Sequence, residues 1–256
     1  MKTSKGKPPR KHKTMTQNEL TKNDWFSTDE VEALTSTALS KVRLGKSRYS
    51  FEKHTNYAIL TTLLKTGMRV SELCSLTIPQ IQKGLNEGEF LLVGKGGMNT
   101  TNKKKIKNST RLVYINTELK SILETYLLFR NEKNTNKLKN KKISNPTQEQ
   151  KSKAIKRALK RPYEISEQKH NFLFISRTGE PLTQQKVWAR FQTICRQSGV
   201  QPRKTHATRH TTGMNLYAKT KDILTTSSIL GHKSVTTTQV YVKATEEAKR
   251  KAIELL

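Results

Sequence analysis

The spacing of apolar residues in this chain is helical along most of its length and strand-like in one place. Stretches such as Phe51–Lys65 carry apolar residues on one helical face, which predicts amphipathic helices. Residues 89–93 and 111–115 are instead short apolar runs, separated by a basic loop with glycines at 94–108, and they predict two antiparallel strands. We therefore expect an α+β fold that is mostly α-helical, with a small antiparallel hairpin near the N-terminal third.

Local signals predict where the helices begin and end. Ser27 followed by Glu30 is a capping box, and Thr183 is a second predicted N-cap. Gly67 and Gly231 are placed to end helices. One predicted helix follows Thr183 and carries Val187, Trp188, Phe191, Ile194 and Cys195 on its core face. The other predicted helices cover about 27–40, 51–65, a short segment from Ser71, 117–130, 206–219, 222–230 and 244–256.

Composition divides the chain into a tail, a folded part and an insertion. Residues 1–24 are polar, and the first thirteen hold six basic residues and no acidic one, which predicts a disordered basic tail over residues 1–26. Residues 27–256 are expected to form one domain. Within it, residues 130–169 hold thirteen basic and four acidic residues, which indicates a basic surface insertion with a short helix at 152–160. A solvated face and a nucleic-acid contact both remain possible interpretations of such a segment.

The net charge restricts the class of partner. A formal charge of +29 indicates a polyanion, with nucleic acid first, ribonucleoprotein second and an anionic membrane surface third. No Cys/His cluster has zinc-ligand spacing, and we expect neither metal nor cofactor. There is no apolar run of the roughly 18–20 residues that a membrane span needs, and no apolar secretory segment. The expected location is the cytoplasm with its DNA, or an organelle if an organelle encodes the protein.

Polar residues in five short stretches have the chemistry that transesterification at a DNA phosphate requires. Arg69 and Arg209 can hold non-bridging phosphate oxygens bidentately. His206 lies three residues before Arg209, so both share one helical face, and His232 follows the helix-ending Gly231. Each of these residues also has an ordinary interpretation, as a surface arginine or a hydrogen-bonded core histidine.

A nucleophile and a proton donor complete this set. The Tyr241 hydroxyl can attack phosphorus if a base or cationic surroundings help it, because a free tyrosine has a pKa near 10. Lys95 lies in the predicted hairpin loop between glycines and could protonate the leaving oxygen. Ordinary packing of the tyrosine and a solvated lysine are the competing interpretations.

Four motifs resemble those of the tyrosine recombinases, or phage integrases. They are TGMRVSEL, LLVGKGG, HATRH and LGHKSVTTTQVY. By resemblance, the catalytic residues are Arg69, Lys95, His206, Arg209, His232 and the nucleophile Tyr241. Glu72 and His210 occupy supporting positions in the same motifs. The resemblance extends from about residue 27 to 250, apart from most of 130–170.

The resemblance implies a site-specific recombinase or integrase of a mobile genetic element. Tyr241 would form a 3′-phosphotyrosyl link with double-stranded DNA and release a 5′-hydroxyl, without metal or ATP. Four protomers would assemble on DNA through the C-terminal helix, whose apolar stripe is Ala248, Ala252 and Leu255. Basic residues of the loop and insertion are expected to contact DNA: Lys103, Lys104, Lys105, Lys153, Lys156 and Arg157.

The sequence also departs from the family pattern and leaves two other hypotheses open. Few residues precede the catalytic region, so we expect no full N-terminal core-binding domain. A type IB topoisomerase-like enzyme would use the same chemistry to relax DNA. A degenerate integrase remnant would bind DNA without cleaving it, although binding does not require the full catalytic set.

Overall fold

The structure is a computed structural model of the chain, and it describes residues 20–21, 23–43, 50–93, 110–134, 171–176, 178–232 and 234–254. Within these ranges the protein is mostly α-helical with a two-stranded antiparallel sheet, which confirms the predicted fold class. The elements are α1 (Thr28–Arg43), α2 (Ser50–Thr66), α3 (Val70–Ser75), α4 (Ile78–Glu87), β1 (Glu89–Val93), β2 (Thr110–Tyr114), α5 (Thr117–Asn134), α6 (Gln184–Gln197), α7 (His206–Thr220), α8 (Ile223–Leu230), a 3-10 turn (Val235–Thr237) and α9 (Gln239–Ile253).

The predicted helix ends are confirmed by their hydrogen bonds. The Ser27 main-chain N–H donates to Glu30 Oε2 at 2.8 Å, and the Glu30 N–H donates to Ser27 Oγ at 3.2 Å. Thr183 Oγ1 accepts from the Lys186 N–H at 3.3 Å. Gly231 ends α8 in the left-handed conformation, with φ of 67°. These bonds satisfy donors and acceptors that a helix end otherwise leaves unpaired.

Helix α2 lies at the centre of the fold, because it contributes to two apolar clusters. Ile59 and Leu63 pack with residues of α3, α4, the hairpin and α5. Leu60 and Leu64 pack with residues of α1 and α6. The helix is therefore buried on two faces, and its C-terminal end is held in a fixed position. Gly67 follows this end with φ of 59° and turns the chain toward α3.

The predicted hairpin is confirmed, although its second strand covers Thr110–Tyr114 and not residues 111–115. Strands β1 and β2 are antiparallel and pair Phe90 with Val113 and Leu92 with Arg111. Side chains alternate between the two faces of a strand. Phe90, Leu92 and Val113 are accordingly buried, whereas Leu91 on the other face is exposed. The residue paired with Leu92 on the buried face is an arginine.

Helix α4 is not predicted from the sequence, because its residues include poor helix formers. Pro79 lies in the first turn, where a proline costs no intrahelical hydrogen bond. Gly84 lies where an added Cβ would come within 2.8 Å of both Ile115 and Phe90, so the helix packs closely on the hairpin. The close approach explains the glycine, and the tertiary packing outweighs its low helix propensity.

Two other predictions were wrong. Trp188 is 50% exposed rather than part of the core face of α6, because it lies one helical step from the buried Val187. Helix α9 begins at Gln239 rather than near 244, so Tyr241 lies in its first turn and not ahead of it. The apolar stripe indicates a helix only after Ala244, whereas in the structure the 3-10 turn leads into the helix almost directly.

Candidate active site

Arg69 lies at the corner between α2 and α3, with a guanidinium that is partly open to solvent. Its side chain is 43% exposed, and its Nη1 donates to Glu72 Oε1 at 2.8 Å. The main-chain N–H of Arg69 donates to the other oxygen, Glu72 Oε2, also at 2.8 Å. Glu72 is buried and thus holds both the main chain and the side chain of this arginine. Within the described ranges the remaining donors of the Arg69 fork have no acceptor, so they can bind an anion.

The Glu72 carboxyl is ionised. Burial acts to raise its pKa, but the hydrogen bond from the Arg69 N–H and the charge of Arg111 outweigh burial and lower the pKa below its usual range. Three arginines and one glutamate, namely Arg69, Arg111, Arg209 and Glu72, interact electrostatically in this region. Three positive charges against one negative charge leave an excess of two, which suits a phosphate.

Arg209, on α7, is buried and connects two distant segments. Its Nη1 donates to the Gly67 carbonyl and its Nη2 to the Leu230 carbonyl, each at 2.7 Å. Burial lowers the pKa of Arg209 to about 10, and the charges of Arg69 and Arg111 act in the same direction. An arginine with this pKa is still charged at neutral pH. Arg209 therefore brings its charge to the point where the ends of α2 and α8 meet.

The three predicted histidines lie around this arginine, and all are neutral at pH 7. His206 is the exposed member, and partial desolvation with the charges of Arg209 and Arg69 lowers its pKa. Burial, together with neighbouring positive charge, lowers the pKa of His210 and of His232 to about 4 each. A neutral imidazole has one donor and one acceptor nitrogen, so it can both bind an oxygen and accept a proton.

Tyr241 lies beside these histidines but is 1% exposed. Its hydroxyl is hydrogen-bonded to His210 Nδ1 at 3.3 Å, and its ring stacks near His232 with a centroid distance of 6.3 Å. His232 Nδ1 in turn is hydrogen-bonded to Thr238 Oγ1 at 2.8 Å, just before α9. The predicted nucleophile, on α9, therefore lies next to His210 of α7 and to His232, which follows the end of α8.

The electrostatic environment of Tyr241 corrects one expectation. The sequence suggested that nearby cations would help to ionise this phenol. Burial instead raises its pKa to about 12, although the charge of Arg209 acts in the opposite direction. At neutral pH the hydroxyl is therefore protonated, and the packing around it covers it from solvent.

A glycine makes room for the buried ring. Gly213 lies within α7, and a Cβ added there would come within 2.3 Å of Tyr241 Cζ and 2.7 Å of its hydroxyl oxygen. A glycine in a helix interior is unfavourable by about 1 kcal/mol relative to alanine, so it indicates a close approach. The sequence contains this signal, but Gly213 is not among the predicted site residues. Arg111 was also missed, although the period-two pattern of its strand places a charge on the buried face.

Open space adjoins the exposed side of this cluster. A cavity of about 500 Å³ is lined by His206, His210, Asp24 and Lys204, among others. It lies between the N-terminal segment of the described chain and the start of α7. A ligand entering here would meet two imidazoles of the cluster directly.

Several predicted site residues lie outside the described residues. They are Lys95, Lys103, Lys104, Lys105, Lys153, Lys156 and Arg157. The side chains of the apolar stripe on the C-terminal helix are also outside the described part, so these assignments stay predictions. In the described ranges, no group of three or more His, Cys, Asp or Glu side chains could hold a metal ion. No helix there is long and apolar enough to span a membrane.

Comparisons with known proteins identify what this chain is similar to. A family model described as "Phage integrase family" matches residues 24–138 and 125–248. "Tyrosine recombinase XerD" from Halalkalibacterium halodurans is 26% identical over 223 residues, which are 87% of this chain and 58% of the relative. The chain therefore spans somewhat more than half the length of that relative.

Two solved structures share the fold. The XerA recombinase matches with a TM-score of 0.59 and 23% identity, over 90% of this chain and 64% of that one. The Tn1549 transposon integrase, in complex with transposon right end DNA, matches with a TM-score of 0.56 and 21% identity, over 89% of this chain and 66% of that one.

Proposed function

The chain belongs to the phage integrase family, and we propose that it is a site-specific DNA recombinase that breaks and rejoins strands through a 3′-phosphotyrosyl intermediate. One observation carries the proposal. Two arginines, two histidines and a tyrosine, from four separate parts of the chain, meet around α7: Arg69, His206, Arg209, His232 and Tyr241. Packing and DNA binding do not require this combination, whereas transesterification at phosphorus uses every member.

The arginines would neutralise the phosphate. Charge builds up on the non-bridging oxygens as the nucleophile approaches, and donors fixed in advance stabilise that charge most effectively. Arg69 is fixed by Glu72 and partly open, so it can reach an oxygen from solvent. Arg209 supplies a buried charge behind it, and neutral His206 and His232 can each donate one further hydrogen bond.

Tyr241 would be the nucleophile once it leaves its buried position. A bond forms between its hydroxyl oxygen and phosphorus while the bond from phosphorus to the 5′-oxygen breaks. The phenolic proton passes to a neutral imidazole of the site, and His210 is already hydrogen-bonded to this hydroxyl. The leaving oxygen takes a proton, which we assign to Lys95 of the hairpin loop. The reverse reaction with a 5′-hydroxyl rejoins the strand, so the phosphodiester energy is retained.

The proposed partners follow from charge and family membership. Double-stranded DNA fits a chain of net charge +29, and the lysines and arginine of the loop and insertion would contact its phosphates. Four protomers would assemble on two DNA sites through α9, which also carries Tyr241. The protein would act wherever its DNA is, in the nucleoid or in an organelle. The XerA and XerD names describe recombinases, and the Tn1549 name describes a transposon integrase, consistent with a mobile genetic element.

Trapping the covalent intermediate tests this proposal. The purified chain is incubated with a pool of random-sequence duplexes that carry a nick, so that a short cleaved strand diffuses away and religation fails. Denaturing electrophoresis then separates protein bound covalently to DNA, and the trapped duplexes are sequenced. We expect an adduct from the wild type and from Tyr217→Phe, a control on the partly buried tyrosine of α7. Tyr241→Phe should form none, because it lacks the attacking oxygen.

Trapping, together with a DNA-binding assay and a plasmid-relaxation assay, distinguishes the other hypotheses. An adduct from Tyr241→Phe would refute the assignment of the nucleophile. Salt-sensitive DNA binding by the wild type without any adduct would indicate a non-catalytic remnant. Relaxation of a supercoiled plasmid by a monomer, without strand exchange between two sites, would indicate a topoisomerase-like activity instead.

A further inference from the structure

Arg111 is a buried arginine on the inner face of the hairpin. It is the second residue of β2, paired with Leu92, and its side chain is 9% exposed. Its neighbours on this face, Leu92 and Val113, are apolar core residues. A buried guanidinium is costly unless it is paired and hydrogen-bonded, so its partners indicate why the position holds an arginine.

The partners of Arg111 belong to two different parts of the active site. Its Nη2 donates to Glu72 Oε2 at 3.2 Å, and its Nη1 donates to the Ile229 carbonyl at 2.7 Å. Ile229 lies in the last turn of α8. This helix end has carbonyls without intrahelical partners and a partial negative charge, which a cation stabilises.

The stem of Arg111 also packs against the residue that precedes His232. A Cβ added to Gly231 would come within 2.3 Å of Arg111 Cδ, so Gly231 and the arginine stem are in close contact. Arg209 donates to the Leu230 carbonyl, next to the carbonyl that Arg111 holds. Two arginines, one from β2 and one from α7, therefore fix consecutive carbonyls just before the corner that carries His232.

Glu72 connects Arg111 to the exposed phosphate-binding arginine. The same oxygen, Oε2, accepts from Arg111 and from the Arg69 main chain, while Oε1 accepts from the Arg69 side chain. A carboxylate held from both sides has a fixed orientation. If Arg111 were removed, Glu72 could rotate, and the guanidinium of Arg69 would lose its fixed direction.

We propose that Arg111 is a positioning residue for strand cleavage, which sets Arg69 and His232 relative to each other through Glu72 and the end of α8. This inference rests on the proposed function of the site. Arg111 is also the second residue of β2. The same side chain therefore connects the start of β2 to the two catalytic motifs.

The test compares Arg111→Met and Arg111→Lys in the full chain. Methionine keeps an apolar stem without donors, and lysine keeps the charge but cannot reach both partners as a planar fork does. The probe is the duplex that the wild type selects from the nicked pool. At saturating DNA we expect Arg111→Met to form adduct about 10²-fold more slowly than the wild type, as for a small misplacement of catalytic groups. Arg111→Lys should recover part of the rate, and the DNA concentration for half-saturation should not change, because Arg111 is buried.

Arg130→Met is the matched control for a general effect of losing a buried arginine. Arg130 is 1% exposed and donates to the Phe172 and Leu173 carbonyls, away from the active site. We expect this variant to unfold at lower urea concentration but to keep its cleavage rate at saturating DNA. If both methionine variants lose cleavage equally, or if Arg111→Met cleaves within threefold of the wild type, the proposal is overturned.

A second measurement does not need activity. Arg111→Met, Glu72→Gln and the double variant are compared by urea unfolding. If Arg111 acts through Glu72, the double variant should lose clearly less stability than the sum of the single losses. Additive losses would refute the inference even in a chain that cleaves. If the wild type forms no adduct on any duplex, the proposed function fails, whereas the unfolding comparison still decides whether these two side chains act as one unit.

Discussion

Alanine at position 213 would place a methyl group inside the space that the Tyr241 ring occupies. The new Cβ would lie 2.3 Å from Cζ, 2.5 Å from Cε2 and 2.7 Å from the hydroxyl oxygen of Tyr241. Carbon atoms in contact are normally about 3.5–4.0 Å apart. Either the ring must leave its position or helices α7 and α9 must separate.

Two opposing terms determine the size of the effect. Forcing an extra carbon into a packed interior costs about 1–3 kcal/mol. Replacing glycine by alanine within a helix stabilises it by about 1 kcal/mol. Gly213→Ala should therefore lower the free energy of unfolding of the wild type by about 0–2 kcal/mol. With Tyr241→Ala as the background the ring is gone, and the same substitution should stabilise the protein by up to about 1 kcal/mol.

Urea unfolding of the four proteins in this cycle measures the coupling between the two positions. We expect a coupling free energy of about 1–3 kcal/mol, equal to the cost of the clash. Tyr241→Phe is the matched background, because it keeps the ring atoms and should keep the coupling. If Gly213→Ala has the same effect with and without the ring, within about 0.5 kcal/mol, the buried position of Tyr241 described above is refuted.

Two further predictions concern Arg69 and the histidines. Arg69→Ala should slow adduct formation at saturating DNA by about 10²–10³-fold, because one fixed donor to the phosphate is lost. Lys65 is an exposed lysine paired with Glu118, and Lys65→Ala should not slow the reaction. Equal rates for the two variants would contradict the role of Arg69. His210 and His232 have folded pKa values of about 4, below the ordinary 6.5, so the unfolded chain binds protons that the folded chain does not. The free energy of unfolding should therefore fall as the pH drops from about 6.5 toward 4, and it should fall less steeply in His232→Gln. Urea unfolding at several pH values measures this dependence, and the same dependence in the variant and the wild type would contradict the burial of this imidazole.

Much of the fold could be predicted because its signals lie close together in the chain. The capping box of Ser27 and Glu30 spans four residues, and the hairpin follows from alternation within two five-residue strands. The four motifs likewise give the proposed catalytic set from short stretches of sequence. Interactions of this kind depend on propensity and spacing, which a short window contains. Helix α4 was missed because its Pro79 and Gly84 are explained by position and packing rather than by propensity.

Tertiary structure decided the state of the site, because burial depends on segments that are distant in the sequence. The sequence identified Tyr241 as the candidate nucleophile, but only packing against α7 shows that it is covered and that its pKa is raised. Arg111 became a candidate only when β2, α3 and the end of α8 were seen to converge on it. Desolvation and hydrogen bonding of a charge are set by everything that surrounds it in space. The sequence alone thus determines which groups are proposed to react, whereas contacts between distant segments determine their protonation and their exposure to solvent.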